Sequence, residues 1–501
     1  MIEREVKLAA WPGFSLPDLD GVGDGARTRR RETVDLEATY FDTPDLRLGR
    51  RGITLRHRRR GAREIWTVKL PVGDASLAGG LDRDEIDVSA PEGEVPARLA
   101  LIVAAHIRTA PLRPVARLST VRRRTVVEGP DGIPLAEIDD DEVSVMDGGR
   151  VAGRFREIEV EIAPDASDDV ARAVVERLCR AGAEESDPIP KVARALGPRF
   201  FDPPEAVTRD LPPEPSAAEV ITDAIAAAVG RILDHHVVAI VGTDPEGVHQ
   251  MRVGTRRLRS DLRTFRPLLD RAVSDPLRDE MRWLAEILGA VRDPDVMAGR
   301  LRAGAERVLD DVDEPAIVAV LSCLDADRDR AVTTLHDTLG SDRYLHLLDD
   351  LVALAESPPL LDEAGAPAAE ALPGLVAKPW KYLRHLVRDI EGEPSDEVLH
   401  DVRKRAKQVR YAAEAVEPAV GSPARQAAKG AKGLQDTLGD HQDTVVAEEW
   451  LRGLLGSVDS GATFVLGALS AEQRVERAER RAEWIEQWEK ASAADRWRWL
   501  R

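Results

Sequence analysis

The sequence predicts a multidomain α+β protein in which an antiparallel β domain precedes an all-α domain. The chain has 501 residues, and a single hydrophobic core rarely grows beyond about 250–300 residues. Residues 1–201 contain short runs that alternate with a period of two, which indicates strands. Residues 217–501 are rich in Ala, Leu, Arg and Glu with helical periodicity, and the proline-rich segment 202–216 predicts a linker.

The β domain is predicted from seven runs and one late helix. Successive side chains of a strand point to opposite faces, so each run presents one face that is richer in charge. The predicted strands are 2–8, 37–41, 53–58, 65–70, 85–88, 121–127 and 156–162, and the predicted helix is 169–181.

The charged faces of these strands segregate by sign. Acidic residues occupy the first and last strands, whereas the residues from Arg47 to Arg63 include eight arginines and no acid. Such dense like charges repel each other unless an anion or opposing acids neutralise them. A half-solvated sheet would point this face at water. A sheet closed into a barrel would instead place the acidic edge strands beside a basic wall.

An interior of this kind has a chemical use. Clustered carboxylates bind a hard divalent cation such as Mg²⁺ or Mn²⁺. Lys and Arg side chains bind phosphate oxygens, and metal and cations together stabilise charge on a phosphoryl group in transfer. The pattern therefore indicates a polyanionic substrate such as a triphosphate.

Ordered motifs run through residues 1–201. The first is Glu3-x-Glu5-x-Lys7. The others are Tyr40-Phe41-Asp42-Thr43-Pro44 with Gly52-Ile53-Thr54-Leu55-Arg56-x-Arg58, then Thr67-Val68-Lys69, Asp139, Glu157-x-Glu159-x-Glu161 and Lys191. Together they resemble the CYTH family, the triphosphate tunnel metalloenzymes. The resemblance implies an eight-stranded antiparallel tunnel that hydrolyses or cyclises triphosphate compounds with Mg²⁺ or Mn²⁺ as the cofactor.

The resemblance also implies roles for individual residues. The implied metal ligands are Glu3, Glu5, Glu157, Glu159 and Glu161. The residues implied to bind phosphate are Lys7, Arg56, Arg58, Lys69, Arg83, Arg122, Arg124 and Lys191. Glu85 and Asp139 are the implied catalytic residues, which would orient the basic side chains or a water. Members of the family usually carry a serine near the terminal lysine, whereas Ile189 and Pro190 precede Lys191 here.

An internal repeat divides the helical part at about 217–356 and 374–501. The segment 249–259 resembles the segment 400–410 at an offset of 151 residues. The Leu-Gly pair at 288–289 resembles the pair at 438–439 at an offset of 150 residues. Two matches at nearly one offset indicate a duplicated helical unit.

Each copy of the repeat places a basic stripe, led by a histidine, on one helix. At about 100° per residue, the spacing i, i+3, i+7, i+10 confines four side chains to an arc of about 80°. The first stripe is His249, Arg252, Arg256 and Arg259 with the adjacent Arg257, and the second is His400, Arg403, Lys407 and Arg410 with the adjacent Lys404. A solvated basic face is the simpler interpretation of one such helix. Two copies with the same spacing favour a binding surface.

These stripes, with Leu288-Gly289-x-x-Arg292-Asp293 and Leu434-Gln435-x-x-Leu438-Gly439, resemble the CHAD domain. The resemblance spans residues 217–501. It implies two four-helix bundles related by pseudo-symmetry, with a basic channel that binds inorganic polyphosphate. Nucleic acid is the rival ligand, but aromatic residues form only 4% of the chain, and non-specific nucleic-acid grooves usually add aromatic stacking platforms.

Composition limits the class and location of the protein. The net charge of −19 argues against a protein that coats DNA. The two cysteines match no metal or redox spacing, which is typical of a reducing compartment. The charged N-terminus does not resemble a signal peptide, and we find no apolar run near the length of a membrane helix. We therefore expect a cytoplasmic protein without a membrane partner.

The sequence thus predicts a metal-dependent triphosphatase, with inorganic tripolyphosphate as the favoured substrate, joined to a polyphosphate-binding domain. Three alternatives remain open at this point. They are a polyphosphate-binding protein without catalytic activity, a thiamine triphosphatase and an adenylate cyclase.

Overall fold

The computed structural model describes residues 4–71, 83–186, 189–242, 245–309 and 313–500, and only the backbone of Arg4 and Arg83. The chain divides into two compact units, residues 1–204 and 205–501. The first unit contains an antiparallel sheet and the second is helical, which confirms the predicted multidomain α+β class. The linker 202–216 and the bounds of the repeat stay predictions.

The described part of the first unit contains ten strands and three α-helices. The strands are β1 (Arg4–Ala10), β2 (Arg27–Arg30), β3 (Val34–Asp42), β4 (Thr54–Arg60), β5 (Arg63–Pro71), β6 (Arg83–Val88), β7 (Arg113–Glu128), β8 (Pro134–Asp147), β9 (Arg150–Ile162) and β10 (Glu184–Glu185). The helices are α1 (Ala97–Ile107), α2 (Asp168–Arg180) and α3 (Lys191–Leu196).

The sheet follows the order β10-β1-β9-β8-β7-β3-β4-β5-β6, and the short strand β2 pairs with β7. All of these pairings are antiparallel. The outer face of β1, β8 and β9 carries an apolar cluster, in which Leu8, Ile138 and Ile158 pack with Val174 and Leu178 of α2. Because residues alternate in a strand, this packing turns the charged residues of the same strands to the inner face.

The helix α3 closes one end of the concave face. Val192 and Ala193 pack against Tyr40 of β3, Leu118 of β7 and Val143 of β8. Tyr40 pairs with Arg56 of β4, so the residues that follow Arg56 along β4 run away from α3. The opposite end, at the turn between β4 and β5, is called the mouth below.

The second unit contains eleven α-helices among its described residues. They are α4 (Ala217–Asp234), α5 (His236–Val241), α6 (Glu246–Thr264), α7 (Arg271–Val308), α8 (Glu314–Leu339), α9 (Asp342–Glu356), α10 (Ala368–Ala371), α11 (Pro373–Arg388), α12 (Asp396–Val420), α13 (Ser422–Gly453) and α14 (Ser460–Ser492).

Side-chain caps fix where several of these helices begin. Ser216 and Glu219 form a reciprocal capping box at the start of α4, and such boxes satisfy backbone N–H groups that the helix leaves free. Ser395 accepts a hydrogen bond from the backbone N–H of Val398 at the start of α12. The helix with the second basic stripe therefore begins at a defined residue.

The two copies of the repeat share a core. Helix α6 packs on α4 and α7, α12 packs on α11 and α13, and α6 contacts α12. Leu301 of α7 and Ile317 of α8 pack in one cluster with Leu451 of α13 and Leu466 of α14. Helices of both copies therefore contribute to one hydrophobic cluster. The two four-helix bundles stay a prediction.

The segment Ala217–Val241 differs from the expectation that no apolar run approaches the length of a membrane helix. It is long and apolar enough to cross a membrane by length and composition. Half of its most apolar window is buried inside the protein, and Ile221, Ile225, Val229 and Ile232 are fully covered. The core helix of a soluble protein passes the same test, so this segment is weak support for a membrane span.

Candidate functional site

The register of three neighbouring strands places the predicted acids side by side. Glu5 pairs with Glu161 and Lys7 pairs with Glu159 across β1 and β9. Across β9 and β8, Glu161 pairs with Glu137, Glu159 with Asp139, and Glu157 with Asp141. We call the inner face of β1, β9 and β8 the acidic wall.

Glu159 lies at the centre of the acidic wall. Its Oε1 accepts hydrogen bonds from Lys7 Nζ at 3.0 Å and Lys191 Nζ at 2.6 Å, and its Oε2 accepts one from Arg122 Nη2 at 2.8 Å. Burial alone would raise the pKa of Glu159, but the charges of Lys191, Lys7 and Arg122 hold this pKa well below its ordinary value. Glu159 is therefore an anion that organises three cations.

Glu5 is in the opposite electrostatic situation. Its nearest cation is Lys7, with Nζ 3.5 Å from Glu5 Oε1. Burial raises the pKa of Glu5, and the charge of Glu159 raises it further. The carboxylate of Glu5 thus lacks the positive charge that would stabilise its ionised form.

Two aspartates of β8 hold the arginines of β7. Asp141 accepts hydrogen bonds from Arg122 Nε at 2.8 Å and Nη2 at 2.7 Å. Asp139, which is buried, pairs with Arg122 and accepts from Arg124 Nε at 3.0 Å. Bidentate carboxylates fix the plane of a guanidinium, so Asp139 lies where it would orient basic residues.

Lys191 lies among carboxylates at the end that α3 closes. Its Nζ is 2.7 Å from Glu157 Oε1 and 3.0 Å from Asp141 Oδ2, besides its contact with Glu159. Arg194 Nε approaches the other oxygen of Glu157 at 3.6 Å. Glu157 therefore faces two cations of α3, and Lys191 neutralises the acidic wall.

The strands β4 and β5 form the opposite, basic wall. Lys69 pairs with Glu85 of β6, which places this predicted catalytic acid beside a cation. Burial and the charge of Arg56 lower the pKa of Lys69 to about 7, although the charges of Glu159 and Glu5 oppose this change. Arg56 also lowers the pKa of Arg58 to about 10, together with burial and Arg122. The two walls are therefore within electrostatic reach of each other, and the inner face of the sheet between them is called the tunnel below.

The acidic wall offers the type of donor atom that a hard divalent cation prefers. Glu5, Glu161 and Glu137 lie abreast on three strands, and all of them offer oxygen ligands, which Mg²⁺ and Mn²⁺ prefer. Burial and the neighbouring Glu159 raise the pKa of Glu5, so a cation bound there would stabilise its ionised form. Within the described ranges, no group of three or more acidic, His or Cys side chains is arranged to hold a metal ion. The predicted ligand Glu3 lies outside these ranges, as does the side chain of Arg83.

In the helical unit, the two predicted basic stripes face each other. The pKa of Lys407 on α12 is lowered to about 8 by burial and by the charges of Arg256, Arg403, Arg252 and Arg259. Three of these arginines lie on α6, so the cations of both helices converge. We call this surface between α6 and α12 the basic groove.

The two copies build matching arginine sites in the groove. Arg252 pairs with Asp293, and a Cβ added at Gly289 would lie 4.0 Å from Arg252 Cζ. In the second copy, a Cβ added at Gly439 would lie 3.6 Å from Arg403 Nε. The charge of Arg403 lowers the pKa of Asp443, although burial raises it overall. The Leu-Gly motifs therefore provide room for one arginine in each copy.

The remaining stripe residues differ in their surroundings. The Nε atoms of Arg256 and Arg403 are buried without a hydrogen-bond partner in the described part of the chain. Arg257 and Arg410 both bind Glu414, at 2.8 and 2.7 Å. Lys404 pairs with the exposed Asp401. His249 is half-buried, and burial, Lys404 and Arg403 lower the pKa of His400.

Sequence reasoning missed several charged residues of both sites. Glu137 and Asp141 flank Asp139 with a period of two, which was a usable signal for the inner face of β8. Arg263 continues the spacing of the first stripe and lies beside Arg278, Arg405 and Arg259, whose charges lower its pKa along with burial. Helical spacing predicts Arg263, whereas Arg278 and Arg405 are brought there by tertiary packing.

Two family models match the chain. The CYTH domain model matches residues 1–195, and the CHAD domain model matches residues 223–452. An uncharacterized protein of Mycobacterium tuberculosis, Rv2226, is 33% identical over 511 aligned residues, which cover 97% of this chain and 95% of that protein.

Two solved structures are also similar. PptA from Streptomyces chartreusis is 23% identical with a TM-score of 0.46, and the matched region covers 55% of this chain and 99% of the PptA chain. The CHAD domain from the plant Ricinus communis is 27% identical with a TM-score of 0.47, and the matched region covers 58% of this chain and 97% of the plant chain.

Proposed function

Because this chain belongs to the proteins that join a CYTH domain to a CHAD domain, we propose that its N-terminal unit is a metal-dependent triphosphatase and that its helical unit binds inorganic polyphosphate. One observation carries the first half of the proposal. An acidic wall and a basic wall face each other on the inner surface of one sheet. Inorganic tripolyphosphate is the favoured substrate.

The residues of the chain divide the work on the substrate. Arg56, Arg58 and Lys69 bind phosphate oxygens, and Arg122 and Arg124 are held in a fixed orientation by Asp139 and Asp141 for the same task. Such preorganised cations stabilise the charge that develops in phosphoryl transfer without reorganising at that moment. Helix α3 covers one end of the site.

Glu5, Glu159 and Glu161, with Glu3, are the residues proposed to hold Mg²⁺ or Mn²⁺. When bound, the ion supplies a Lewis acid that polarises phosphoryl oxygens. Lys7 and Lys191 keep Glu159 ionised and in place. Burial and the charge of Glu159 disfavour the ionised form of Glu5, and a bound cation would offset both effects.

The basic groove supports the second half of the proposal. Its cations converge from two helices, and Lys407 is driven toward its neutral form by the arginines around it. A linear polyanion would relieve this repulsion along the groove. Polyphosphate fits better than nucleic acid because single-stranded nucleic acid is usually bound with aromatic rings on which its bases stack. The groove has many Arg and Lys residues and few aromatic rings; one of these is Tyr411, which lies beside Lys407 and Arg410.

The substitution Glu5→Gln tests the catalytic half. Since burial and Glu159 disfavour the ionised form of Glu5, the amide removes an unfavourable charge, and the metal-free protein keeps or gains stability. Turnover should fall at least about 100-fold because a ligand of the metal is lost. Phosphate release from tripolyphosphate, thiamine triphosphate and ATP measures turnover, and thermal unfolding measures stability.

The matched control is Glu142→Gln, because Glu142 lies on the same sheet, is exposed and pairs with Arg123 on the outer face. It should leave turnover within twofold. Turnover that survives Glu5→Gln would exclude metal catalysis by this wall. A cyclic product from ATP would replace the triphosphatase by a cyclase.

A further inference from the structure

The mouth of the tunnel carries arginines that lie beyond the predicted phosphate site. Arg60 ends β4 and Arg63 begins β5. They line a cavity of about 90 Å³ together with Arg58, Arg122 and Arg124, and three apolar residues complete the lining, Val34, Leu36 and Ile65. The cavity therefore joins the mouth arginines, Arg60 and Arg63, to the arginines deeper in the tunnel.

The arginines at the mouth have no ion-pair partner among the residues that the structure describes. Within the ranges that the structure describes, Arg56, Arg58, Arg60 and Arg63 form no ion pair, whereas Arg122 contacts three carboxylates and Arg124 contacts two. Arg60 and Arg63 are direct cross-strand partners. Like charges placed opposite each other destabilise a strand pair, so an anion at this place would stabilise the hairpin.

The row of cations is longer than a triphosphate. Arg56, Arg58 and Arg60 lie on one face of β4, and at about 3.3 Å per residue their Cα atoms span about 13 Å. Lys69, which pairs with Thr54, extends this row toward Glu5 and Glu159. The outer phosphorus atoms of a triphosphate are only four P–O bonds apart. A triphosphate that reaches the acidic wall therefore leaves the mouth arginines without a ligand.

We propose that the tunnel takes the end of a linear inorganic polyphosphate, whose terminal phosphates reach the acidic wall while the following phosphates lie on Arg60 and Arg63. This inference rests on the proposed triphosphatase function and names a longer substrate for the same site. Hydrolysis would transfer the terminal phosphoryl group to water, break one P–O–P linkage, and leave the chain one phosphate shorter as the leaving group.

The double variant Arg60→Gln/Arg63→Gln tests this assignment in the full-length protein. Initial rates are measured with tripolyphosphate and with linear polyphosphates of two increasing lengths, in saturating Mg²⁺. We expect KM to fall with chain length in the wild type. The variant should raise KM for the longest chain about tenfold and KM for tripolyphosphate by less than threefold, because only the longer chain reaches the charged groups that are removed.

Arg59→Gln is the matched control, since Arg59 immediately precedes Arg60, lies on the other face of β4 and is exposed. It should change neither KM by more than twofold. A KM that is independent of chain length in the wild type, or an equal rise for both substrates in the variant, would overturn this inference and leave the triphosphatase proposal standing. Absence of metal-dependent release from every substrate would overturn the triphosphatase proposal and this inference together.

Discussion

The tunnel and the basic groove both gather arginines and lysines, but only the tunnel opposes them with a wall of acids. In the tunnel, Glu159 binds three cations, and Asp139 and Asp141 hold Arg122. In the groove, cations of α6 and α12 face one another, and Lys407 is driven toward neutrality. Catalysis of phosphoryl transfer requires a metal site and an anion site together, whereas retention of a polyanion requires cations alone.

Among the variants that would distinguish the tunnel from the basic groove, Glu159→Gln is expected to have the largest effect on turnover and stability. The change leaves Lys7, Lys191 and Arg122 without their shared anion, and breaking such a buried network costs about 3–5 kcal/mol. Turnover of tripolyphosphate should fall at least about 100-fold, while polyphosphate affinity of the folded fraction stays within twofold. Phosphate release and urea unfolding measure the two effects. Glu5→Gln is the matched comparison, because it should lose turnover without losing stability.

The next effect concerns the paired arginine sites of the groove. Arg252→Ala/Arg403→Ala should weaken long-chain polyphosphate binding about 100-fold, because two charge-assisted contacts are lost. Turnover of tripolyphosphate should remain within twofold. Arg330→Ala/Arg425→Ala removes two exposed arginines that pair with Asp327 and Glu417, and it serves as the charge-matched control. Equal losses in both double variants would move the binding site away from the groove.

A smaller effect is expected from pH. The pKa of Lys407 is lowered to about 8, so the side chain is charged below that pH and becomes neutral above it. Polyphosphate affinity should therefore decrease as pH rises through 8, by at most about tenfold. Lys407→Arg keeps its charge throughout and should remove this decrease. Affinity titrations at constant ionic strength measure it, and a decrease that persists in Lys407→Arg would assign it to another group.

The smallest effect tests whether the two copies are equivalent. Gly289→Ala and Gly439→Ala add a Cβ that meets only ordinary van der Waals contacts, at 3.5 and 3.6 Å. Since alanine favours a helix over glycine, each change should stabilise the protein by about 0.5–1 kcal/mol. Urea unfolding of both variants measures this gain. Opposite signs would show that the two arginine sites are not packed alike.

The sequence predicts the strands with alternating patterns well and misses those without them. The run 121–127 lies within β7 and the run 156–162 lies within β9. Strand β8 was missed because the consecutive acids Asp139, Asp140 and Asp141 place charge on both faces, so polar and apolar residues do not alternate there. In the structure, Asp139 and Asp141 point inward to Arg122, whereas Asp140 binds Arg156. Both faces of this strand are charged because both have an arginine partner.

The candidate sites follow the same division. The spacing of His249, Arg252 and Arg256 shows that one helix has a basic face, but not that it meets the face of α12. The motif containing Lys191 indicates a phosphate ligand, whereas its contacts with Glu157, Asp141 and Glu159 depend on where α3 packs. Local patterns therefore identify the charged faces, and tertiary packing decides which charges meet.

The most direct test of the central claim is metal-dependent phosphate release by the full-length protein. Tripolyphosphate is incubated in metal-free buffer, with Mg²⁺, with Mn²⁺ and after addition of EDTA, and long-chain polyphosphate binding is measured in the same four conditions. We predict release only with Mg²⁺ or Mn²⁺, and binding to the basic groove in all four. Phosphate release that persists in EDTA would contradict the assignment of metal-dependent catalysis to the opposed acidic and basic walls. Polyphosphate binding that disappears without metal would contradict the assignment of binding to the cations of the groove alone.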